Sequence, residues 1–420
     1  MALNKKTVTG MKDILPAEME IRDYVLNIIK ETYKTYGYSS IETPCMEHIE
    51  NLTSKQGGDN EKLIFKILKR GEKLNLENAK DDSDLVDEGL RYDLTVPLCR
   101  YYSNNSASLT TPFKALQTGN VWRADRPQKG RFRQFRQCDI DVLGDGTYLV
   151  EIESILAITE ALKKICSNNA FTVRVNDRAI LKGMADYAGF PEDDCDRVFV
   201  ILDKMDKIGS DGVAAELLEA GYTEESVNKY KELLAGAGND AAAVRALGEK
   251  LSSVLEPEKT ENLAFIMDAV KELADIDFGL EFDSTLVRGM GYYTGTIFEI
   301  SMEGFGGSVA GGGRYDKLIG KFTGVDTPAC GISIGFERIV GILMDSGFKV
   351  PQIGKKAFLF EKGMDKESFK KVLFEAQAER KKGVCVTVAQ MNKNKKFQKD
   401  QLMKEGYEDF KEFYRDSFNK

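Results

Sequence analysis

An arginine-rich segment between two strand-like runs is the feature that most constrains the fold of this chain. Residues 121–144 read VWRADRPQKGRFRQFRQCDIDVLG and hold six cations but one acid between Arg123 and Arg136. The formal net charge of the whole chain is −8, so the sign of the charge is reversed locally. After the cations, polar and apolar residues alternate, which predicts a half-buried β-strand. Residues 113–122 are also strand-like, so the sequence predicts a hairpin with the cations at its turn.

One face of the second predicted strand is polar. The alternation places an amide and two carboxylates there, Gln137, Asp139 and Asp141, and turns apolar side chains to the other face. An arginine-rich turn beside such a face suits a ligand with phosphates at one end and an amine at the other.

The totals are those of a soluble globular protein. Hydrophobic residues make up 42% of the chain and charged residues 30%, as in soluble globular proteins. The length of 420 residues indicates about three domains. Membrane association is not expected, because no apolar run approaches the roughly 18 residues of a membrane span and the first residues do not resemble a signal peptide. Seven cysteines without a CxxC pair predict neither a disulfide framework nor a zinc site, and favour a cytoplasmic location.

A single histidine limits the chemistry. With only His48, a catalytic triad based on histidine or a histidine-rich metal site is excluded, and His48 itself is interpreted as structural. The chemistry must then rest on arginine, carboxylates, amides, tyrosines and bound ions. This inventory favours charge stabilisation and positioning over a protein nucleophile.

Periodicity predicts several elements. A helix is expected to begin at Pro16 and to end before Gly37, a second to cover 150–166 and a third to cover 336–347, with a strand at 171–177. Residues 90–144 are predicted to contain strands and turns.

Composition predicts the larger divisions. From about Asp177 to Ile276 the chain is rich in Ala, Glu, Lys and Leu, which indicates an inserted helical domain. Residues 349–356 have the Pro and Gly of a linker, and a small α/β segment follows. Its basic run, NKNKKFQKDQLMKEG, fits a solvated helix face and a nucleic-acid contact equally well.

Four segments together predict a site for a phosphate-bearing ligand. They are LRYDLTVP (90–97), with Arg91, Asp93 and Thr95 on one strand face; the hairpin; TLVRGMGYYTGTIFEI (285–300); and GGGRYD (311–316) with GISIGFERIVGIL (331–343). Glycines near Arg288 allow the backbone to approach a ligand closely. Arg338 is placed in the first turn of a helix, where the helix dipole disfavours a cation, so a functional role is indicated.

These segments resemble the motifs of the histidyl-tRNA synthetase family among class II aminoacyl-tRNA synthetases. TGMKDILP with the following helix and IETP resembles motif 1, the hairpin resembles motif 2, and GISIGFERIVGIL resembles motif 3. LVRGMGYYTGTIFE and GGGRYD resemble the two histidine-specific motifs, and the resemblance covers about residues 8–345. It implies an α+β fold: an antiparallel sheet of six or seven strands flanked by helices, in a homodimer.

The resemblance also implies roles for individual residues. Arg123 and Arg288 would contact the α-phosphate of ATP from opposite sides and act in catalysis, Arg131 would reach the terminal phosphates, and Phe135 with Arg338 would hold the adenine. Eight residues would bind histidine: Asp93, Thr95, Gln137, Asp141, Arg288, Tyr292, Tyr293 and Tyr315.

The implied activity is ligation of histidine to the 3′ end of tRNA(His), with ATP as substrate. Magnesium is inferred from ATP chemistry, and no metal-ligand motif is expected. The implied divisions are a catalytic core in two parts (1–177 and 277–348), a helical insertion (178–276) and a shortened anticodon-binding-like domain (355–420). Contact with the acceptor end of the tRNA is expected through the motif 2 loop and the insertion.

Two departures from the family pattern leave alternatives open. Gly291 stands where the family usually has Asp, and the final strands of the anticodon-binding domain are missing or altered. The shortened end also fits a catalytically inactive paralogue that serves as the regulatory subunit of ATP phosphoribosyltransferase. A general RNA-binding module would explain the basic turn, but it would not explain the histidine-specific motifs.

Overall fold

The computed structural model describes residues 3–53, 58–128, 130–288, 293–351 and 354–418. Its α-helices are Pro16–Thr35 (α1), Ile49–Thr53 (α2), Thr95–Asn105 (α3), Leu149–Ile165 (α4), Arg178–Ala188 (α5), Cys195–Leu202 (α6), Met205–Glu219 (α7), Glu224–Gly236 (α8), Ala241–Lys250 (α9), Pro257–Leu273 (α10), Gly320–Thr323 (α11), Phe336–Asp345 (α12), Lys366–Lys381 (α13) and Lys395–Lys404 (α14). Its strands are Ser39–Ile41 (β1), Met46–His48 (β2), Lys66–Leu68 (β3), Val86–Leu90 (β4), Phe113–Trp122 (β5), Gln134–Leu143 (β6), Phe171–Asp177 (β7), Gly279–Phe282 (β8), Thr296–Met302 (β9), Ser308–Arg314 (β10), Ala329–Ile334 (β11), Lys355–Phe360 (β12), Cys385–Gln390 (β13) and Tyr407–Phe413 (β14).

One large sheet organises most of the chain. Its strand order within the described residues is β1-β5-β6-β11-β10-β9-β7-β8, antiparallel throughout except for the outer pairs β1–β5 and β7–β8. The predicted hairpin is confirmed, because β5 and β6 pair in antiparallel register from Phe113↔Leu143 to Trp122↔Gln134. The mixed α+β class is confirmed as well. The sheet has eight strands rather than the expected six or seven, since short parallel strands extend both edges.

A row of directly opposed residues crosses the middle of this sheet. The pairs are Asp139↔Ser333, Ser333↔Gly311, Gly311↔Glu299 and Glu299↔Arg174. Residues opposite one another in neighbouring strands point to the same face of a sheet. We call these five residues the polar row.

The other face of β6 is apolar and packs into the core. Cys138 and Ile140 are fully buried there, and α4 lies against the neighbouring strand β11. The alternation predicts a half-buried strand, and the inner part of β6 is buried on both faces. Asp139 and Asp141 are 4% and 3% exposed, because they line a recess instead of an open surface.

The predicted helices at 150–166 and 336–347 correspond to α4 and α12, and the helix predicted from Pro16 corresponds to α1. The stretch 178–276, all of which the structure describes, contains α5 to α10 and none of the strands. The strand-only interpretation of residues 90–144 is wrong, because α3 lies within them.

The start of α3 also corrects the interpretation of LRYDLTVP. Arg91, Asp93 and Thr95 do not share a strand, because β4 ends at Leu90 and α3 begins at Thr95. Asp93 accepts a hydrogen bond from the Val96 N–H at 3.0 Å and thereby satisfies a free donor of the first turn. Pro97 is tolerated in that turn, where its missing N–H breaks no helical bond.

A second, smaller unit contains Ile14–Tyr24 and Met344–Lys420, and Val25–Leu343 belongs to the first. In the smaller unit, β12 pairs in parallel with β13 and β14, as expected for a small α/β segment. A separate core of the five residues Phe358, Val372, Ala376, Val386 and Phe413 lies in this unit. No helix among the described residues has the length and apolarity needed to cross a membrane.

Candidate active site

A pocket of about 510 Å³ opens between the hairpin, β10, β11 and α12. The structure brings together every predicted site residue that it describes along the walls of this pocket: Asp93, Thr95, Arg123, Arg131, Phe135, Gln137, Asp141, Arg288, Tyr293, Tyr315 and Arg338. Tyr292, the remaining predicted residue, lies outside the described residues, as does Gly291. Segments far apart in sequence therefore converge on one recess.

Arg123 forms part of the hairpin wall and is held from several sides. It follows the last residue of β5, where its N–H donates to the Arg133 carbonyl at 2.9 Å. Its Nε donates to the Tyr92 carbonyl at 3.1 Å. Its Cζ lies 4.2 Å from the ring centroid of Tyr92 and 5.1 Å from that of Phe135. Stacking on two aromatic rings fixes the plane of the guanidinium while leaving it charged.

Arg131 is the more exposed cation of the same wall. Its side chain is 52% exposed and lies 3.9 Å from the Asp125 carboxylate, a distance typical of a weak surface pair. A long exposed arginine at a hairpin turn can follow a ligand that extends toward solvent.

Two further guanidiniums line the pocket from other segments and share one serine. Arg338, in the first turn of α12, donates through Nη1 to the Ser308 carbonyl and, at 3.1 Å, to the Ser308 hydroxyl. Arg288 donates through Nη1 to Glu299 and is 3.5 Å from the same hydroxyl. Burial, followed by repulsion from Arg288 and Arg131, lowers the pKa of Arg338. A bound polyanion would reduce this repulsion, so these arginines favour binding of a polyanion.

Carboxylates and an amide form the deep end of the pocket. The Tyr315 hydroxyl donates to Asp141 at 2.5 Å, and Asp139 accepts from the Ser333 hydroxyl at 2.5 Å and from Gln137 Nε2 at 3.0 Å. Burial, with repulsion from Asp139 and Asp93, raises the pKa of Asp141 to about 8. Burial also raises the pKa of Asp139 to about 7. A cationic or N–H-donating ligand would stabilise the ionised forms.

Two buried acceptors at this end lack a partner among the described residues. They are Oδ2 of Asp141 and Oε1 of Gln137. A buried polar atom without a hydrogen bond costs roughly 1–3 kcal/mol, so such atoms in a pocket indicate where a ligand binds. Oε1 of Gln137 is an acceptor, and Oδ2 of Asp141 is one when the carboxyl group is ionised, so a ligand that binds both atoms must supply donors.

Glycines make room for two of the charged side chains. An ideal Cβ at Gly331 would lie 1.9 Å from Oδ1 of Asp141, and one at Gly311 would lie 2.5 Å from Cζ of Arg288. Neither position can hold a larger residue without moving the group above it.

Residues 10–339 match the family described as Histidyl-tRNA synthetase. A histidine–tRNA ligase from Leifsonia xyli subsp. xyli (strain CTCB07) is 43% identical, over 80% of this chain and 79% of its own length. The chain belongs to the histidyl-tRNA synthetase family.

Solved structures agree with this membership. The histidyl-tRNA synthetase from Nostoc sp. PCC 7120 superposes with a TM-score of 0.80 at 28% identity and covers 96% of this chain and 90% of its own. A Bacillus halodurans C protein described as an ATP phosphoribosyltransferase regulatory subunit/histidyl-tRNA synthetase reaches a TM-score of 0.78 at 22% identity, covering 99% of both chains. The second likeness concerns the fold alone.

Within this synthetase fold, some pocket residues were missed from the sequence. Asp139 was placed on the polar strand face but not assigned to the site, although its alternation with Gln137 and Asp141 already predicted a shared direction. Tyr92 lies next to Asp93 in a segment that the sequence assigns to the site, so its position gave a signal as well. Ser308 has no such signal, because it reaches the pocket through strand pairings that a single sequence does not reveal.

Proposed function

We propose that this chain is a histidine–tRNA ligase, which activates histidine with ATP to histidyl-adenylate and transfers the histidyl group to the 3′ end of tRNA(His). The observation that carries the proposal is the division of one pocket into guanidiniums at its mouth and unpaired acceptors at its deep end. ATP supplies phosphates for the first region, and histidine supplies an ammonium and an imidazole N–H for the second.

Arg123 and Arg288 are the proposed catalytic residues. When the histidine carboxylate attacks the α-phosphate, negative charge grows on the phosphate oxygens, and the bond to the pyrophosphate leaving group breaks. Guanidiniums fixed in two segments of the pocket stabilise that charge without reorganising during the reaction. The substrate carboxylate is the nucleophile, so the chain needs no nucleophile of its own.

The other ATP contacts are proposed from the same geometry. Phe135 and Arg338 offer an aromatic ring and a planar guanidinium, which suit the two faces of adenine. Arg131, at the exposed turn, is proposed to contact the terminal phosphates.

Histidine is proposed to bind at the deep end. Asp141, Gln137 and Asp93 provide acceptors, and Tyr315 holds Asp141 in place. Imidazole carries a donor and an acceptor at separate ring positions, so acids and hydroxyls together recognise both. We also propose contacts from Thr95 and Tyr293, which line the pocket, and from Arg288 and Tyr292.

Magnesium is proposed to enter with ATP. The described residues contain no group of three or more His, Cys, Asp or Glu side chains that could hold a metal ion. Mg²⁺ commonly keeps substrate phosphates and water as its main ligands, so the pocket is compatible with a metal carried by the nucleotide. No protein ligand is assigned to it.

The assembly and the divisions of the chain are proposed from family membership. We propose a homodimer, acceptor-end contacts by the motif 2 loop and the helical insertion, and the four parts 1–177, 178–276, 277–348 and 355–420. A cytoplasmic location is proposed too, and it accords with all seven cysteines, each described by the structure, being unpaired.

The regulatory-subunit alternative is less well supported. A histidine sensor uses only the deep end of the pocket and has no need for guanidiniums from several segments at its mouth. Arg123 and Arg288 are both present and both held in place by neighbouring groups.

Histidine-dependent exchange of pyrophosphate into ATP tests the proposal. The purified chain is expected to catalyse this exchange with histidine and ATP, and omission of histidine is the control. A folded protein that shows no exchange with histidine would contradict the ligase function and favour the regulatory one.

A further inference from the structure

The guanidinium of Arg288 completes the polar row. Gly311 has no side chain, and the space above it holds the Arg288 guanidinium, between Ser333 on one side and Glu299 on the other. Arg288 donates to Oε2 of Glu299 through Nη1. The register of the sheet therefore determines where this proposed catalytic group lies.

Glu299 is shared between two arginines. Its Oε1 accepts from Nη2 of Arg174, the next residue of the row, while Oε2 accepts from Arg288. The side chains of Glu299 and Arg174 are 17% and 22% exposed, so solvent screens their interaction only in part.

Arg174 is itself anchored from the far side. Its Nη1 lies 3.1 Å from Oδ2 of Asp283 and 3.7 Å from Oδ2 of Asp206, the latter on α7. Arg174, Glu299 and Arg288 also line a second recess of about 350 Å³. The three residues thus form a charge-alternating chain leading from the helical stretch to the main pocket.

We propose that Arg174 is a positioning residue for the activation step, acting on Arg288 through Glu299. An isolated carboxylate prefers a bidentate pair with arginine, which would turn both Nη groups of Arg288 toward Glu299. With one oxygen of Glu299 taken by Arg174, Arg288 is held through Nη1 and keeps other donors for the α-phosphate. The inference rests on the proposed function for the identity of that phosphate.

A double-mutant cycle in the chain of 420 residues tests this relay, by which we mean the action of Arg174 on Arg288 through Glu299. Arg174→Gln is expected to lower kcat of histidine-dependent exchange by roughly ten-fold or more and to leave KM for histidine within about two-fold. Glu299→Gln is expected to lower kcat as well. Adding R174Q to E299Q is expected to cause no further loss, because Arg174 acts through the carboxylate that E299Q removes.

Arg245 offers a matched control. It also bridges two acids, Glu261 and Asp268, at 2.9 Å each, but it lies on the exposed surface of α9. Arg245→Gln removes an equivalent ion pair away from the pocket, so its kcat should equal that of the wild type. Equal losses of kcat in R174Q and R245Q would overturn the relay. So would a double variant in which the losses of kcat from R174Q and E299Q multiply.

Calorimetric titration with ATP separates this inference from the proposed function. R174Q should weaken ATP binding, whereas R245Q should not, even if the wild type shows no exchange. Absence of exchange in the wild type would remove the ligase function, and the titration would still decide the relay. Normal exchange kinetics and ATP affinity in R174Q would remove the relay and leave the ligase function intact.

Discussion

At the scale of single residues, the pocket holds two neighbouring buried carboxyl groups whose ionised forms are unfavourable without a ligand. Asp139 and Asp141 lie buried on one strand face, and the described contacts include no cation bonded to either carboxylate. Their pKa values, raised to about 7 and about 8, mean that the empty site is partly protonated near neutral pH.

The stability of the ligand-free protein should therefore depend on pH in a defined direction. An unfolded Asp titrates near pH 4, whereas folded Asp141 keeps its proton to about pH 8. The folded state binds more protons across this window, so its stability falls as pH rises through it. We expect Asp141→Asn to reduce the fall in Tm between pH 5 and pH 8 by a few degrees.

Thermal unfolding at several pH values measures this effect. Asp139 remains in the variant, and its raised pKa also makes stability fall as pH rises. The pH dependence of Tm is therefore expected to shrink and not to vanish. The exposed Asp400 provides the control, since Asp400→Asn should leave the slope unchanged. Identical slopes for the wild type and Asp141→Asn would contradict the raised pKa.

At the scale of elements, a hydrogen bond joins α12 to the hairpin. Oε1 of Glu337 accepts from the backbone N–H of Arg136 at 3.1 Å and so joins the first turn of α12 to β6. The two residues joined by this bond are the sequence neighbours of Phe135 and Arg338, which are proposed to hold adenine.

Glu337→Ala should therefore weaken ATP binding. A hydrogen bond of about 1 kcal/mol corresponds to a rise of about five-fold in KM for ATP. Glu337→Gln keeps an acceptor oxygen and should behave like the wild type in the same exchange assay. If Glu337→Gln raises KM for ATP as much as Glu337→Ala does, the charge of the carboxylate matters and the positioning explanation is wrong.

The elements also show what could be read from the sequence. The hairpin, α4 and α12 were predicted correctly because their periodicity is local and long. The first residues of α3 were mistaken for a strand since Arg91, Asp93 and Thr95 happen to alternate. The sequence also contains helix-start signals, an acid three residues before Val96 and a proline in the first turn. In the folded protein these signals prevail, and the segment enters a helix.

The candidate site was predicted in part. Residues within recognisable motifs converge on the pocket as expected, although their individual roles stay predictions. Arg174 and Glu299 could not have been assigned to each other, because they are 125 positions apart and meet only through the pairing of β7 with β9.

At the scale of the whole molecule, the pocket lies within the first compact unit. Its lining residues fall between Leu63 and Arg338, and the C-terminal sheet has a core of its own. In the basic run at 392–406, Lys395 and Lys399 each bind Glu412 at 2.6 Å, which favours a solvated helix face for these two cations.

Deleting residues 355–420 should accordingly spare the activation step. We expect histidine-dependent exchange to stay within roughly three-fold of the full chain, as a compact unit with its own core retains its structure. Circular dichroism and cooperative unfolding check that the shortened chain is folded. A folded deletion variant without exchange would show that the activation step needs residues 355–420.

The two unpaired acceptors at the deep end of the pocket have a consequence for selectivity. An amino acid of similar size that lacks N–H donors in its side chain would enter and leave Oδ2 of Asp141 or Oε1 of Gln137 unsatisfied. Each unsatisfied atom costs roughly 1–3 kcal/mol, a discrimination of about five- to 150-fold. If histidine binds as proposed, we expect an N–H donor of its side chain, directed at one of these oxygens, to be a main requirement for substrate selection.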